Sequence, residues 1–183
     1  MPSSSVLNAL FKGSPSSFAS SLQIIATSSS NGYIAKQAGA GKYRTIYCHS
    51  DGYPEGVGQT LLTYYGYPEK IDQLLDLGDI SVLDKWIDPD PEKPHGFGYS
   101  EVNGKFVSNR QEGVTLAYGR DRGDTETRAQ IYTLKELDAG CVAYVYIYSN
   151  GCWKYFKRLA DGMQFLKEDS KEEVEKEELI PMF

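Results

Sequence analysis

The chain has 183 residues, a formal net charge of −6 and a hydrophobic content of 40%, which fit one domain with an ordinary buried core, with or without tails. Proteins that bind a phosphate backbone regardless of sequence carry basic stripes, so the acidic charge of this chain disfavours such general nucleic-acid binding. Whether the chain contacts nucleic acid directly in some other way stays open. The three cysteines form no close-spaced pair. That argues against a disulfide scaffold and favours the cytoplasm, while the lack of a long apolar run argues against a membrane span.

Composition divides the chain into three parts. Residues 1–21 form a Ser-rich N-terminal arm, residues 22–166 form one α+β domain, and residues 167–183 form an acidic C-terminal tail. Residues 167–178 alone hold seven acids and three lysines. Two interpretations of this tail stay open: a solvated helix that aids solubility, or a segment that engages a basic partner.

The first half of the domain predicts a β-meander followed by two helices. Apolar runs bounded by Gly- and Ser-rich turns predict three strands, at Leu22–Thr27, Tyr33–Gln37 and Tyr43–Ser50. Pro54 and Pro68 stand at the first positions of two helices with apolar stripes, with Asp51 or Gly52 placed to cap the first. The meander therefore runs directly into helix at Pro54.

The next segment is less regular. Residues 84–104 carry several Pro and Gly and predict a long irregular loop. A strand at Val114–Tyr118 and a charged turn at Gly119–Gly123 follow, and Thr133 is predicted to cap a short helix.

The clearest element is a hairpin near the end of the domain. Asn150-Gly151 separates two alternating runs, Val142–Ser149 and Cys152–Lys157, and Asn-Gly is a strong hairpin signal. The implied register opposes three pairs: Tyr148 with Trp153, Tyr146 with Tyr155, and Val145 with Phe156. Its aromatic face is either one side of the core or a surface that stacks bases or holds a partner protein. The predicted fold is α+β: an antiparallel sheet, made of the N-terminal meander and this hairpin, packed against two short helices.

Candidate catalytic residues lie where the third strand meets the first helix. Alternation in a strand puts Tyr47, His49 and Asp51 on the side opposite the core residues Ile46 and Cys48. A histidine beside an aspartate at a helix N-terminus is suited to general acid or base chemistry on a phosphate or acyl group. The alternative is structural, with Asp51 capping the helix and His49 hydrogen-bonded to a loop.

Candidate ligand-binding residues lie in the charged turn. Arg120 and Arg122 are separated by one residue and can fork onto a phosphate or carboxylate, with Tyr53 or Tyr47 orienting the ligand. In the alternative, Asp121 and Asp124 neutralise them. No cofactor and no metal are predicted: Gly39–Lys42 fails as a phosphate loop because Lys36 and Tyr43 occupy defining positions, and His95 has no clustered companions.

Four sequence runs together resemble a loosely defined set of small proteins carried by phages, prophages and other bacterial mobile elements. They are Ile46–Pro54 (IYCHSDGYP), Gly56–Leu62, Leu75–Ser81 and Ala117–Gly123, and the resemblance covers roughly residues 43–157. In that set the position of Ser50 is usually Trp.

The resemblance implies an accessory protein acting in the cytoplasm of a host cell. Such proteins often inhibit host defence, anti-CRISPR proteins among them, which implies binding to a host nucleic-acid-binding protein or effector complex. Three alternatives stay open: a metal-independent enzyme cleaving RNA or a nucleotide with His49, a virion-associated structural protein, and a protein that sequesters a small ligand. The sequence leaves the oligomeric state open.

Overall fold

The computed structural model describes residues 30–166. The predicted N-terminal arm, the acidic tail and the strand predicted at Leu22–Thr27 lie outside these residues.

The described residues form ten strands and four short α-helices. The strands are β1 Gly32–Gly39, β2 Lys42–Cys48, β3 Ile80–Val82, β4 Tyr99–Val102, β5 Lys105–Ser108, β6 Leu116–Ala117, β7 Gln130–Tyr132, β8 Tyr144–Ser149, β9 Cys152–Phe156 and β10 Gln164–Phe165. The helices are α1 Gln59–Tyr64, α2 Pro68–Asp76, α3 Tyr118–Arg122 and α4 Leu134–Asp138, with a π-helical turn at Pro54–Gly58 before α1 and a 3₁₀ turn at Leu159–Asp161. None of the helices within this range is long and apolar enough to cross a membrane.

Eight strands form one sheet in the order β10-β9-β8-β1-β2-β3-β6, with β7 beside β2. The sheet is largely antiparallel, so the predicted α+β class is confirmed. Two pairings are parallel, β1 with β8 and β2 with β3. The first of these joins the early hairpin β1–β2 to the late hairpin β8–β9 at the centre of the sheet.

Both faces of this sheet are packed. One face lies against the π-helical turn, α1 and α2, which bury Val57, Leu61 and Leu74 against the sheet. The other face buries Leu134 and Leu137 of α4 beside strands β8 and β9. Because α4 covers only part of its face, the end of β2 stays open there.

The late hairpin has the predicted register. Tyr148 opposes Trp153, Tyr146 opposes Tyr155, and Val145 opposes Phe156. The turn residues Asn150 and Gly151 have φ of 52° and 78°, the left-handed values that a two-residue turn of this kind requires. The helix capped by Thr133 is also confirmed, with a full capping box to Glu136.

Several boundaries differ from the prediction. The strand predicted at Tyr43–Ser50 ends at Cys48, the one predicted at Val114–Tyr118 shortens to Leu116–Ala117, and β1 extends to Gly39. The prediction of a charged turn at Gly119–Gly123 is wrong, because Tyr118–Arg122 is helical and Gly123 ends the helix with φ of 78°. The loop predicted at 84–104 is interrupted by strand β4, which pairs with β5 in a second, two-stranded sheet.

Candidate functional site

Strand β2 leads to the predicted catalytic residues. Ile46 and Cys48 are buried, whereas Tyr47 is half-buried and His49 is exposed, as alternation requires. Beyond the strand end, His49 and Ser50 keep donating their backbone N–H groups to carbonyls of β3, at 3.1 and 3.0 Å. The extended backbone therefore holds the His49 ring on the open part of the sheet.

Tyr47 and His49 form a hydrogen-bonded pair. The Tyr47 hydroxyl lies 2.9 Å from His49 Nδ1 and accepts a second hydrogen bond from Asn31 Nδ2 at 3.3 Å. The Tyr33 ring stands edge-on to Tyr47, with centroids 6.5 Å apart. In residues 30–166 no group pairs with His49 Nε2, so this nitrogen is available to exchange a proton with a bound molecule.

Asp51 and Tyr53 are placed differently from the predicted site. Asp51 takes φ 54° and its carbonyl accepts the N–H of Val57 at 2.8 Å, while its carboxylate accepts from the Tyr53 hydroxyl at 3.4 Å. The expectation of a side-chain cap from Asp51 is wrong, because Tyr53 occupies the N-cap and no side chain caps the turn. Asp51 thus holds the turn through its backbone and pairs with Tyr53 rather than with His49.

Asp79 is a site residue that sequence reasoning missed. Its carboxylate accepts the backbone N–H of Tyr47 at 2.9 Å, and its own backbone is bonded on both sides, to Thr127 and Tyr118. Burial raises the pKa of this carboxyl, against the smaller opposing effect of the Tyr47 hydrogen bond. Burial also raises the pKa of Tyr33, and the Asp79 charge adds to that shift. The position of Asp79, just after the helix-ending Gly78 and before a strand, was the available signal.

The guanidinium of Arg120 is fully engaged by other groups of the protein. Its guanidinium donates to the backbone oxygens of Ile87 and Thr115 at 2.6 and 2.8 Å, and to the Asp121 carboxylate at 2.8 and 3.0 Å. Asp121 also accepts from His95 Nε2 at 3.3 Å. Burial tends to raise the pKa of Asp121, but the Arg120 hydrogen bond and charge outweigh it and lower that pKa. Arg120 is therefore a structural residue that ties helix α3 to the segment before it.

Arg122 is also paired. It makes a bidentate contact with Asp124 at 2.9 and 2.6 Å, which lowers the pKa of that carboxyl. Its guanidinium lies 4.8 Å from the ring centroids of both Phe97 and Tyr118. Both predicted arginines are therefore paired with carboxylates close to them in the chain, Arg120 with Asp121 and Arg122 with Asp124.

Tyr118 connects the two predicted regions. Its backbone N–H donates to Asp79 at 3.1 Å. Burial raises the pKa of its hydroxyl, which a hydrogen bond to the Ser81 side chain partly offsets. Helix α3 therefore borders the surface that carries Tyr47, but it contributes an aromatic ring there rather than a guanidinium.

The two-stranded sheet β4–β5 forms a projecting hairpin, Tyr99–Ser108, which the sequence analysis missed. All eight strand residues are exposed, and Tyr99 and Phe106 are 72% and 78% accessible. Asn103 and Gly104 form its turn with φ of 52° and 75°. This is the same Asn-Gly signal that identified the late hairpin, and it was available in the sequence.

An open groove of about 590 Å³ lies at the base of the projecting hairpin. Its apolar residues are Trp86, Pro89 and Val114, and its rim carries Asp88, Asp90, Glu112, Lys93 and Gln111. Trp86 is 54% accessible, a high exposure for an indole.

No family model, curated protein or solved structure matches this chain. Among residues 30–166, no three His, Cys, Asp or Glu side chains cluster as ligands for a metal ion. Two surfaces of the protein are therefore the functional candidates: the end of strand β2 that carries Tyr47 and His49 (the Tyr47–His49 corner), and the projecting hairpin with its groove.

Proposed function

We propose that this protein is a mobile-element accessory protein that acts in the host cytoplasm and inhibits a nucleic-acid-handling system, of the defence type that includes CRISPR effectors, by binding one of its proteins. The observation that carries the proposal is the projecting hairpin. It presents apolar side chains to solvent on both of its faces, and no other part of residues 30–166 covers either face.

Strand pairing defines these two faces. Tyr99 and Phe106 lie diagonally on one face, and Val102 and Val107 lie diagonally on the other. All four are at least half accessible. Each strand has only one neighbour in the described part of the chain, so both outer edges also offer free backbone groups. Exposed aromatic residues in such a patch are typical of protein-binding surfaces.

Charge favours a basic protein as the partner. The chain carries −6, and proteins that handle nucleic acid present the basic stripes that such a chain would meet favourably. The two arginines predicted to hold phosphate are paired with Asp121 and Asp124. This arrangement supports binding to a protein over binding to a nucleotide.

The direct test is inhibition of a purified RNA-guided nuclease effector by the full chain. We expect a stoichiometric complex that blocks cleavage and weakens with salt. The variant Tyr99→Ser/Phe106→Ser should weaken inhibition by at least about tenfold, because burying an aromatic side chain contributes on the order of 1.5–3 kcal/mol.

The matched control is Tyr67→Ser/Ile131→Ser, which removes two exposed apolar side chains from other surfaces. Inhibition by this control should be unchanged. Equal weakening by both double variants would contradict the proposal. Sedimentation of the free chain adds a second test, because a dimer that the hairpin variant dissolves would assign the hairpin to a second copy instead.

A second candidate is a metal-independent enzyme that cleaves RNA or a nucleotide. The exposed Tyr47–His49 pair beside the half-buried Asp79 favours it. His49 would exchange the proton and Tyr47 would position the ring. Cleavage of labelled RNA by the wild type, lost in His49→Ala and kept in Tyr99→Ser/Phe106→Ser, would establish this function; full activity in His49→Ala would remove it.

A further inference from the structure

We infer that the Trp86 groove receives a lysine or arginine side chain from a basic protein segment. This inference rests on the proposed function and names the part of the partner that the groove would hold. The observations that carry it are the groove's shape, its exposed indole and the sign of its charges.

The backbone of Trp86 is held by two hydrogen bonds, and its indole lies against Gly113. The Trp86 backbone donates to Gly113 at 2.9 Å and accepts from Thr115 at 2.8 Å. Gly113 has φ 78°, and any side chain there would lie 2.8 Å from the indole ring. The glycine therefore permits close contact with the ring, and the exposed indole needs little rearrangement to receive a ligand.

The groove is large enough for a side chain. Its volume of about 590 Å³ lies within the range of roughly 300–1,000 Å³ that is usual for ligand sites. Gln111 fastens one wall by donating its amide N–H groups to the carbonyls of Asp90 and Lys93 at 2.9 and 3.0 Å.

The charges favour a cation. Three carboxylates line the groove, those of Asp88, Asp90 and Glu112. Two cations lie beside them, Lys93 in the lining and Lys85 on the indole, so the charge balance of these groups remains acidic. Asp90 and Lys93 approach only to 3.8 Å, as do Asp88 and Arg120, and exposed pairs at such distances contribute little. Asp88 and Glu112 can thus receive an incoming ammonium or guanidinium, whereas Oδ1 of Asp90 already accepts the backbone N–H of Glu92 at 3.0 Å.

The chain itself contains a cation on this indole. Lys85 Nζ lies 4.2 Å from the Trp86 ring centroid, a distance at which a cation is attracted to the ring.

The acidic charge of the groove also determines which segments can bind there. The acidic stretch 167–178 of the same chain carries seven acids and would be repelled, whereas a basic segment of a nucleic-acid-handling protein would be attracted.

The test uses the two tryptophans of the chain as reporters in ¹H–¹⁵N spectra of the full-length protein. Trp86 is exposed, whereas Trp153 is 4% accessible and serves as an internal reference. Hexaarginine and hexalysine are the probes, and hexaglutamate and a Gly-Ser hexapeptide are the controls. We expect the basic peptides alone to shift the Trp86 indole resonance saturably, with the Trp153 resonance unmoved and the effect reduced by salt.

Two triple variants carry the same change in net charge. Asp88→Asn/Asp90→Asn/Glu112→Gln should raise the Kd for hexaarginine about tenfold, the sum of three exposed charge contributions. The control triple Glu55→Gln/Glu69→Gln/Glu126→Gln should leave the Kd nearly unchanged. By anisotropy of labelled hexaarginine, Trp86→Ala should weaken binding about fivefold.

Three results would overturn the inference: an unmoved Trp86 resonance, an equal response to hexaglutamate, or equal weakening by the two triple variants. The effector assay separates this failure from failure of the proposed function. Full inhibition by the groove triple, with loss in the hairpin double variant, would remove the groove and keep the function. Peptide binding in the groove without inhibition of any effector would keep the cation site and remove the function.

Discussion

The two Asn-Gly hairpins of this protein have the same design and opposite surroundings. Each has a turn with positive φ at both Asn and Gly, and each carries apolar side chains on both faces. The late hairpin is covered on both faces, so that Phe156 is 1% accessible, whereas Phe106 of the projecting hairpin is 78% accessible. Turn chemistry makes a hairpin, and its surroundings decide whether its apolar faces stabilise the fold or remain for a partner.

The largest expected difference comes from the same substitution in both hairpins. Phe156→Ala should destabilise the protein by about 3–5 kcal/mol, because it removes buried contacts and leaves a cavity. Phe106→Ala should change stability by no more than about 0.5 kcal/mol. Denaturant unfolding measures both. A large loss of stability from Phe106→Ala would mean that the projecting hairpin is part of the core, like the late hairpin.

The turn glycines should give a smaller difference. Gly151 and Gly104 have φ of 78° and 75°, and an added Cβ would meet nothing within 4 Å at either position. Alanine therefore introduces backbone strain of about 1–2 kcal/mol and no clash. We expect Gly151→Ala to lower global stability by that amount, whereas Gly104→Ala should speed amide exchange in the projecting hairpin alone.

Gly66→Ala is the control for this pair, since Gly66 has no positive φ and open space around it. It should cost no strain. Equal global destabilisation by Gly104→Ala and Gly151→Ala would show that the two hairpins unfold together.

The smallest expected effect concerns how the two regions respond to acid. The depressed pKa of Asp121 means that this residue contributes stability above its ordinary pKa of about 4, and that the contribution is lost as pH falls through its folded pKa. Since Asp121 binds Arg120 and His95, its protonation should loosen the segment of Trp86 first. We expect the Trp86 indole resonance to change below about pH 4 while that of Trp153 stays fixed.

In Asp121→Asn this acid step of the Trp86 resonance should be absent. If both tryptophan resonances of the wild type changed at the same pH, this would contradict the idea that charge holds the segment of Trp86 in place while packing holds the late hairpin.

The sequence predicted features that are local. The pairing register of the Asn150-Gly151 hairpin and the helix cap at Thr133 could both be predicted, because each depends on residues that are neighbours in the sequence. The parallel pairing of β1 with β8 could not be predicted, since alternation shows which face a side chain takes but not which strand lies beside it. For the same reason the contact of Asp79 with Tyr47 could not be predicted, since it depends on β2 and β3 lying side by side.

The arginine prediction shows a second limit. The spacing of Arg120 and Arg122 fits a phosphate clamp and a self-paired motif equally well. Only the fold reveals that Arg120 meets the carbonyls of Ile87 and Thr115 and that Arg122 lies against Phe97. Both contacts involve residues that no local pattern links to the arginines.

Amide hydrogen exchange of the full chain, free and bound to an effector that it inhibits, shows which of the two surfaces the partner covers. We expect protection to be gained in residues 86–114, most of all in the projecting hairpin, and the Tyr47–His49 corner to exchange as in the free protein. Protection gained at the Tyr47–His49 corner, with exchange in the hairpin unchanged, would contradict it.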